Sequence, residues 1–143
     1  MTLLLAHAAA TCFLTGLVWV VQLVVYPSFL RVGRTAAWPA FHAQHSRGMT
    51  RAVVLPWAVE GVCCAVLLVR RPDGVPLWLA GLAGALGLAT VVLTFLVQVP
   101  LHGRLSRAYD ERAARRLLAS NRLRVLAWTG AAATGLAMLA VLD

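Results

Sequence analysis

Polar residues recur at helical spacing inside two of the four apolar stretches of this chain. The stretches run from Leu3 to Tyr26, Ala52 to Val69, Val75 to Val99 and Val125 to Leu142. Crossing a bilayer takes about 20 residues, with a tolerance of roughly 17 to 25, so each stretch predicts a transmembrane helix. The first carries His7, Thr11, Thr15, Trp19, Gln22 and Tyr26, and the third carries Thr90, Thr94, Gln98 and His102, at steps of three or four. Such positions lie near one face of a helix. Hydrocarbon offers no hydrogen-bond partner, so these faces are expected to point into the protein. A four-residue step overshoots a turn by about 40°, which separates Thr90 from His102 by roughly 120°. Only part of that stripe can face one cavity. The predicted fold class is all-α: a single domain over residues 1–143, built as a bundle of four transmembrane helices with a polar interior.

The connections add two elements. Pro27 predicts the end of the first span, beside a close-packing stripe of Ala8, Cys12 and Gly16. Trp38-Pro39 opens a short interfacial helix to about Gly48, before span two, with Trp38 and Phe41 at headgroup depth; it either stands apart from span two or runs directly into it. Pro56 is expected to kink span two. The segment from Arg70 to Pro76 is a tight turn rich in proline and glycine. Leu105 to about Ala119 reads as an amphipathic helix before span four, with Arg107–Glu111 and Glu111–Arg115 as i,i+4 pairs. Ser120 or Asn121 is then the expected N-cap of the last helix.

Composition agrees with a membrane domain. The chain of 143 residues is 61% hydrophobic and 13% charged, and its mean hydropathy is +0.80, too apolar for an ordinary soluble domain. The net charge of +8 would suit a nucleic-acid partner, but its placement argues against one. All 13 basic residues are arginines. Arg31, Arg34, Arg47 and Arg51 fall in the first connection and Arg104, Arg107, Arg112, Arg115, Arg116, Arg122 and Arg124 around the third, against Arg70 and Arg71 in the second. By the positive-inside rule the first and third connections lie in the cytoplasm and both termini outside the inner membrane. Membrane lipids are the expected partners of these arginines. Cys12, Cys63 and Cys64 fall within spans and form no Cys-x-x-Cys pair, so they read as packing residues rather than a disulfide exchange site.

Candidate chemistry gathers toward the cytoplasmic side. Gln22, Tyr26, His42, His45, Gln98, His102, Asn121 and Arg124 share that depth. His42, His45 and His102 could form a three-histidine ligand set for copper, iron or zinc. The competing view makes them interfacial histidines with no metal at all. Glu60 lies deeper. A carboxylate there is costly unless paired or protonated, which makes Glu60 a candidate general base or else a structural partner. Trp19, Trp57 and Trp128 are candidate walls for a flat apolar molecule, or simply core.

The order Trp19-x-x-Gln22-x-x-x-Tyr26-Pro27, Phe41-His42-x-x-His45, Pro56 with Glu60, Gln98-x-Pro100-x-His102 and Asn121-x-x-Arg124-x-x-x-Trp128 resembles a broad group of small four-helix membrane proteins that includes the anthrone-oxygenase-like proteins. The resemblance implies an enzyme that inserts molecular oxygen into a flat, activated aromatic ring to give a quinone. Such a substrate has acidic C–H bonds, so a base and a dry pocket would suffice. Glu60, His42, His45 or His102 would supply the base. The expectation is therefore a small membrane oxidoreductase, oxygenase-like, acting on an apolar aromatic or quinone-like molecule. The proposed catalytic residues are Glu60, His42 and His102. The proposed contacts to substrate are Trp19, Gln22, Tyr26, Trp57, Gln98, Asn121, Arg124 and Trp128. The alternative is a membrane scaffold or binding protein for a lipid, metal or small molecule. A homodimer is compatible with either.

Overall fold

A computed structural model describes residues 1–142. It is all-α, with four helices long and apolar enough to cross a membrane: α1 (Thr2–Val32), α2 (Trp38–Val69), α3 (Leu77–Arg107) and α4 (Glu111–Ala140). At 1.5 Å per residue each is about 45 Å long, more than the roughly 30 Å of a bilayer's hydrocarbon. The outward surface is apolar: Leu23, Leu55, Leu96 and Leu126 are between 66% and 72% exposed. His7, Thr11, Glu60, Thr90, Gln98 and Asn121 are buried instead. Polar residues inside and leucines outside reverse the pattern of a soluble bundle.

Successive helices run antiparallel. Against α4, α1 pairs His7 with Gly135, Thr15 with the Trp128 carbonyl and Gln22 with Asn121, so the register runs in opposite directions. Three apolar clusters stack along the bundle. Phe29, Trp38, Leu105 and Leu117 fill the arginine-rich end. Leu14, Val18, Val125 and Trp128 fill the middle. Leu4, Leu67, Leu79 and Met138 fill the far end, beside the Arg70–Pro76 turn. Gly74 takes φ +90° in that turn, a conformation suited to glycine.

Three sequence expectations need correction. Pro27 does not end the first helix, which continues to Val32. A π-helical turn at Val21–Val25 precedes it. A second π turn at Thr94–Gln98 precedes Pro100 at the same offset. Proline removes a donor and crowds the carbonyl four residues back, and a locally widened turn accommodates both effects while the helix goes on. Next, the helix beginning at Trp38 is not a separate interfacial helix but runs directly into the second long helix through Pro56, the other of the two arrangements the sequence allowed. Finally, there is no single amphipathic helix over Leu105–Ala119. The chain breaks at 108–110, and Asp110 caps α4 by accepting a hydrogen bond from the Ala113 amide at 3.1 Å. Ser120 and Asn121 therefore lie inside α4, not at its cap. The break also separates Arg107 from Glu111, since i,i+4 pairing needs an unbroken helix. Glu111 keeps its expected i,i+4 pair with Arg115 and takes Arg34 in place of Arg107.

The Arg34–Glu111 pair ties the α1–α2 connection to the start of α4. Tyr109 adds a steric tie, because its ring lies on Gly33: a Cβ built there would fall 1.9 Å from Cε2. Gly33→Ala is therefore expected to destabilise the protein by about 1–3 kcal/mol through overpacking, read as a lower unfolding midpoint in detergent. Combined with Tyr109→Ala, the glycine substitution should cost little further, because the clash is gone. Strict additivity of the two changes would show that the ring does not seat on Gly33.

Candidate functional site

The two π turns lie on α1 and α3 toward the arginine-rich end. The first carries the helix into Tyr26, and the second ends on Gln98, one turn before His102. The Tyr26 hydroxyl lies 3.1 Å from Gln98 Oε1 and 3.1 Å from His102 Nε2. His102 Nδ1 lies 3.1 Å from His42 Nε2. Gln98 Nε2 donates to Ser120 Oγ at 2.9 Å, and that hydroxyl donates to the Arg116 carbonyl at 2.7 Å.

One end of this series fixes the rest. A backbone carbonyl can only accept, so the Ser120 proton is committed to Arg116. The Ser120 oxygen then accepts from the Gln98 amide nitrogen, which turns Gln98 Oε1 toward Tyr26. Tyr26 must donate to it. Its oxygen then accepts from His102 Nε2–H, His102 Nδ1 carries a lone pair, and His42 Nε2–H supplies the proton facing it. The network is thus a single directed chain from α2 through α3, α1 and α3 again to α4, and neutral imidazoles satisfy it.

Phe29 sets its ring edge-on to His42, His45 and His102, with centroids 5.8, 4.9 and 6.1 Å away. Trp38 packs on His42 and donates to the Leu105 carbonyl at 3.0 Å. His45 stacks on His102, centroids 5.6 Å apart and planes 20° from parallel. The three histidines predicted from sequence therefore do meet. Both nitrogens of His102 are engaged, however: a hydrogen bond joins it to His42, and His45 is only stacked on it. A metal held by His42, His45 and His102 would have to displace either the His102 bond to His42 or that to Tyr26.

Beside the network lies a cavity of about 250 Å³. Leu14, Val18, Val21, Val53, Trp57 and Trp128 give it apolar walls, and Tyr26, His45, Gln98, His102 and Arg124 form its polar lining. Trp57 is held by stacking on Phe95 at 6.0 Å. Among the described residues His45 makes no side-chain hydrogen bond, whereas His42 and His102 are both bonded. Arg124 donates through Nη1 to Asn121 Oδ1 at 3.2 Å, and Asn121 Nδ2 donates to Gln22 Oε1 at 3.0 Å. The Arg124 Nε is buried without a partner, as is Thr94 Oγ1 on the cavity wall. The ion pairs found among the described residues involve Arg34, Arg115 and Glu111, none of them Arg124. Comparison with family models, curated proteins and solved structures gave no match. The likeness to the anthrone-oxygenase group stays one of motif order.

The predicted site residues thus divide into groups. Tyr26, Trp57, Gln98, His102, Arg124 and Trp128 line the cavity with His45. His42, Gln22 and Asn121 stand behind it as supports. Trp19 is 43% exposed and bonds Thr129 Oγ1 at 3.2 Å on the outer face. Glu60 stands apart, with its carboxylate against Cys64 and Gly87. Sequence reasoning missed Ser46, Met49, Thr50 and Val53, which also line the cavity. Their signal was available, since His42, His45, Ser46, Met49, Val53 and Trp57 follow one another at helical spacing. It also missed Ser120 as the anchor of the network, because a mid-helix serine on a presumed loop looks like a cap.

The directed chain predicts that 15N spectra of imidazole-labelled protein will show His102 as the Nε2–H tautomer. In Ser120→Ala the amide of Gln98 is released, and the Nδ1–H form of His102 should become populated. A wild-type His102 protonated on Nδ1 would reverse the polarity deduced here.

Proposed function

We propose that this chain is an integral membrane protein that takes a flat, apolar molecule bearing an acidic C–H or O–H into the cavity and oxidises it with molecular oxygen. The single observation that carries this function is Arg124: a largely enclosed guanidinium on an apolar cavity wall, with a free Nε and no acidic partner among the described residues. A buried cation without a counter-ion is costly. An enolate or phenolate oxygen would complete it, and tryptophans 57 and 128 suit a planar ring system beside that oxygen.

His45 is the base that this geometry favours, because it lines the cavity and keeps its nitrogens free of side-chain partners. His102 is already committed to Tyr26 and His42. In the reaction an activated ring methylene gives a proton to His45, and Arg124 holds the resulting enolate. Dioxygen adds at the carbanionic carbon to form a peroxide anion, which recovers the proton from His45. The hydroperoxide then loses water to leave a ketone. The balance is CH2 plus O2 giving C=O plus H2O, with no outside reductant. Glu60 has no part in this step, since it does not line the cavity. The same reading puts the arginine-rich end in the cytoplasm, so the substrate enters from the inner leaflet.

A binding protein without turnover is the second candidate, favoured by the same cavity. Anthrone separates the two. Purified full-length protein is expected to consume one dioxygen per anthrone and to form anthraquinone. His45→Ala should lower the rate by about 10²–10⁴-fold, the usual worth of a general base. Arg124→Gln should weaken anthrone binding, followed by quenching of tryptophan fluorescence, at least tenfold. Quenching without oxygen uptake would make the protein a carrier. Neither quenching nor uptake would remove aromatic oxidation from consideration.

A further inference from the structure

A second polar centre lies away from the cavity, where four helices converge. His7 of α1 and Glu60 of α2 are almost fully buried, and Cys64, one turn beyond Glu60, is buried beside them. Their ligand atoms all lie within 4.8 Å of one another. Cys64 Sγ donates to Glu60 Oε1 at 3.2 Å. His7 has no partner for either ring nitrogen, although its side chain is wholly enclosed. None of the three lines the cavity described above.

The neighbouring helices are cut back around this centre. A Cβ at Gly87 of α3 would lie 2.6 Å from Glu60 Oε1, and one at Gly135 of α4 would lie 3.2 Å from His7 Cδ2. The sequence thus makes room for an imidazole and a carboxyl in an apolar interior, then leaves the imidazole unsatisfied. An unpartnered buried polar group is expensive. Packing alone gives no reason to keep one.

We infer that His7, Glu60 and Cys64 form a binding site for one divalent transition metal ion of the zinc class. Nitrogen, oxygen and thiolate sulfur from three side chains are the donor types zinc accepts, with a fourth position left for water or another ligand. Metal–ligand bonds of about 2.0–2.3 Å set tetrahedral ligand atoms roughly 3.3–3.8 Å apart, so the observed cluster closes with small side-chain rotations. Charge also balances. A doubly charged ion with one thiolate, one carboxylate and a neutral imidazole sums to zero. That is the cheapest way to hold ionised groups in an apolar bundle. Binding releases the Cys64 proton and fills the vacant valence of His7.

Cobalt(II) titration of the full-length protein in detergent tests the site without reference to any catalytic activity. One equivalent should bind with an intense near-ultraviolet sulfur-to-cobalt charge-transfer band, and zinc should bleach it. Cys64→Ala should abolish the band, whereas Cys12→Ala and Cys63→Ala should retain it. His7→Ala should weaken cobalt binding at least tenfold, and so should Gly87→Ala, whose methyl would displace the Glu60 carboxyl. Absence of the band in folded wild-type protein overturns the site and depends on no variant folding. A band that survives Cys64→Ala overturns it equally.

Discussion

The Tyr26 hydroxyl joins α1 to α3 through one atom, and its two partners extend the connection to α2 and α4. It donates to Gln98 and accepts from His102, both on α3, while His102 reaches His42 on α2 and Gln98 reaches Ser120 on α4. In an apolar interior each of these groups would be costly alone. Joined in a series that ends on a backbone carbonyl, every proton between α2 and α4 has a defined acceptor. That requirement removes the freedom of Gln98 to flip and of His102 to change tautomer. One ring nitrogen that would otherwise be ambiguous is thereby set from about five bonds away.

The prolines explain how the backbone brings these groups together. Pro27 and Pro100 each come two residues after a π turn. The extra residue in a π turn rotates the downstream part of the helix relative to ideal geometry, so a strict four-residue stripe no longer drifts as calculated. Thr90 and His102 need not share a face. Gln98 and His102, on either side of Pro100, are brought to one hydroxyl. π turns recur at functional sites because they redirect side chains without ending the helix. Here a pair of them, on the parallel helices α1 and α3, supplies Val21, Thr94 and Gln98 to the cavity wall.

Much of this was legible in the chain. Helix number and interior polarity followed from length and from spacing, on the expectation that hydrocarbon would forbid unsatisfied amides such as Gln22 and Gln98. The gathering of His42, His45 and His102 followed from depth. The breaks were harder to read. Proline signals a missing donor, but whether a helix stops at Pro27 or widens and continues depends on packing partners, here Leu105 and Leu117 clustered with Phe29, that lie far away in sequence. The boundary at 108–110 was missed for a related reason: Leu105 to Ala119 has good helical periodicity throughout, and only Asp110 with Ala113 marks the new start. Trp19 and Trp57 could not be told apart by composition. One faces outward and the other the cavity, a difference set by rotation about the helix axis.

The middle of the bundle divides the protein into two chemical regions. Leu14, Val18, Val125, Trp128 and Ala131 form an apolar layer between the Tyr26 network and the His7–Glu60–Cys64 centre. Along α1 the polar stripe is interrupted there, since Leu14 and Val18 take the buried positions between Thr11 and Gln22. Along α4 the same register brings Trp128 between Asn121 and Gly135. A layer of this kind offers no polar atoms through which protons or water could pass between the regions. The two stripe residues at that depth are both spent: Thr15 donates to the Trp128 carbonyl at 2.7 Å, and Trp19 donates to Thr129 Oγ1 at 3.2 Å on the outer face. Glu60 is therefore screened from the cavity by packing as well as by its own contacts, and any effect it has on events there must travel through the positions of the helices rather than by proton transfer.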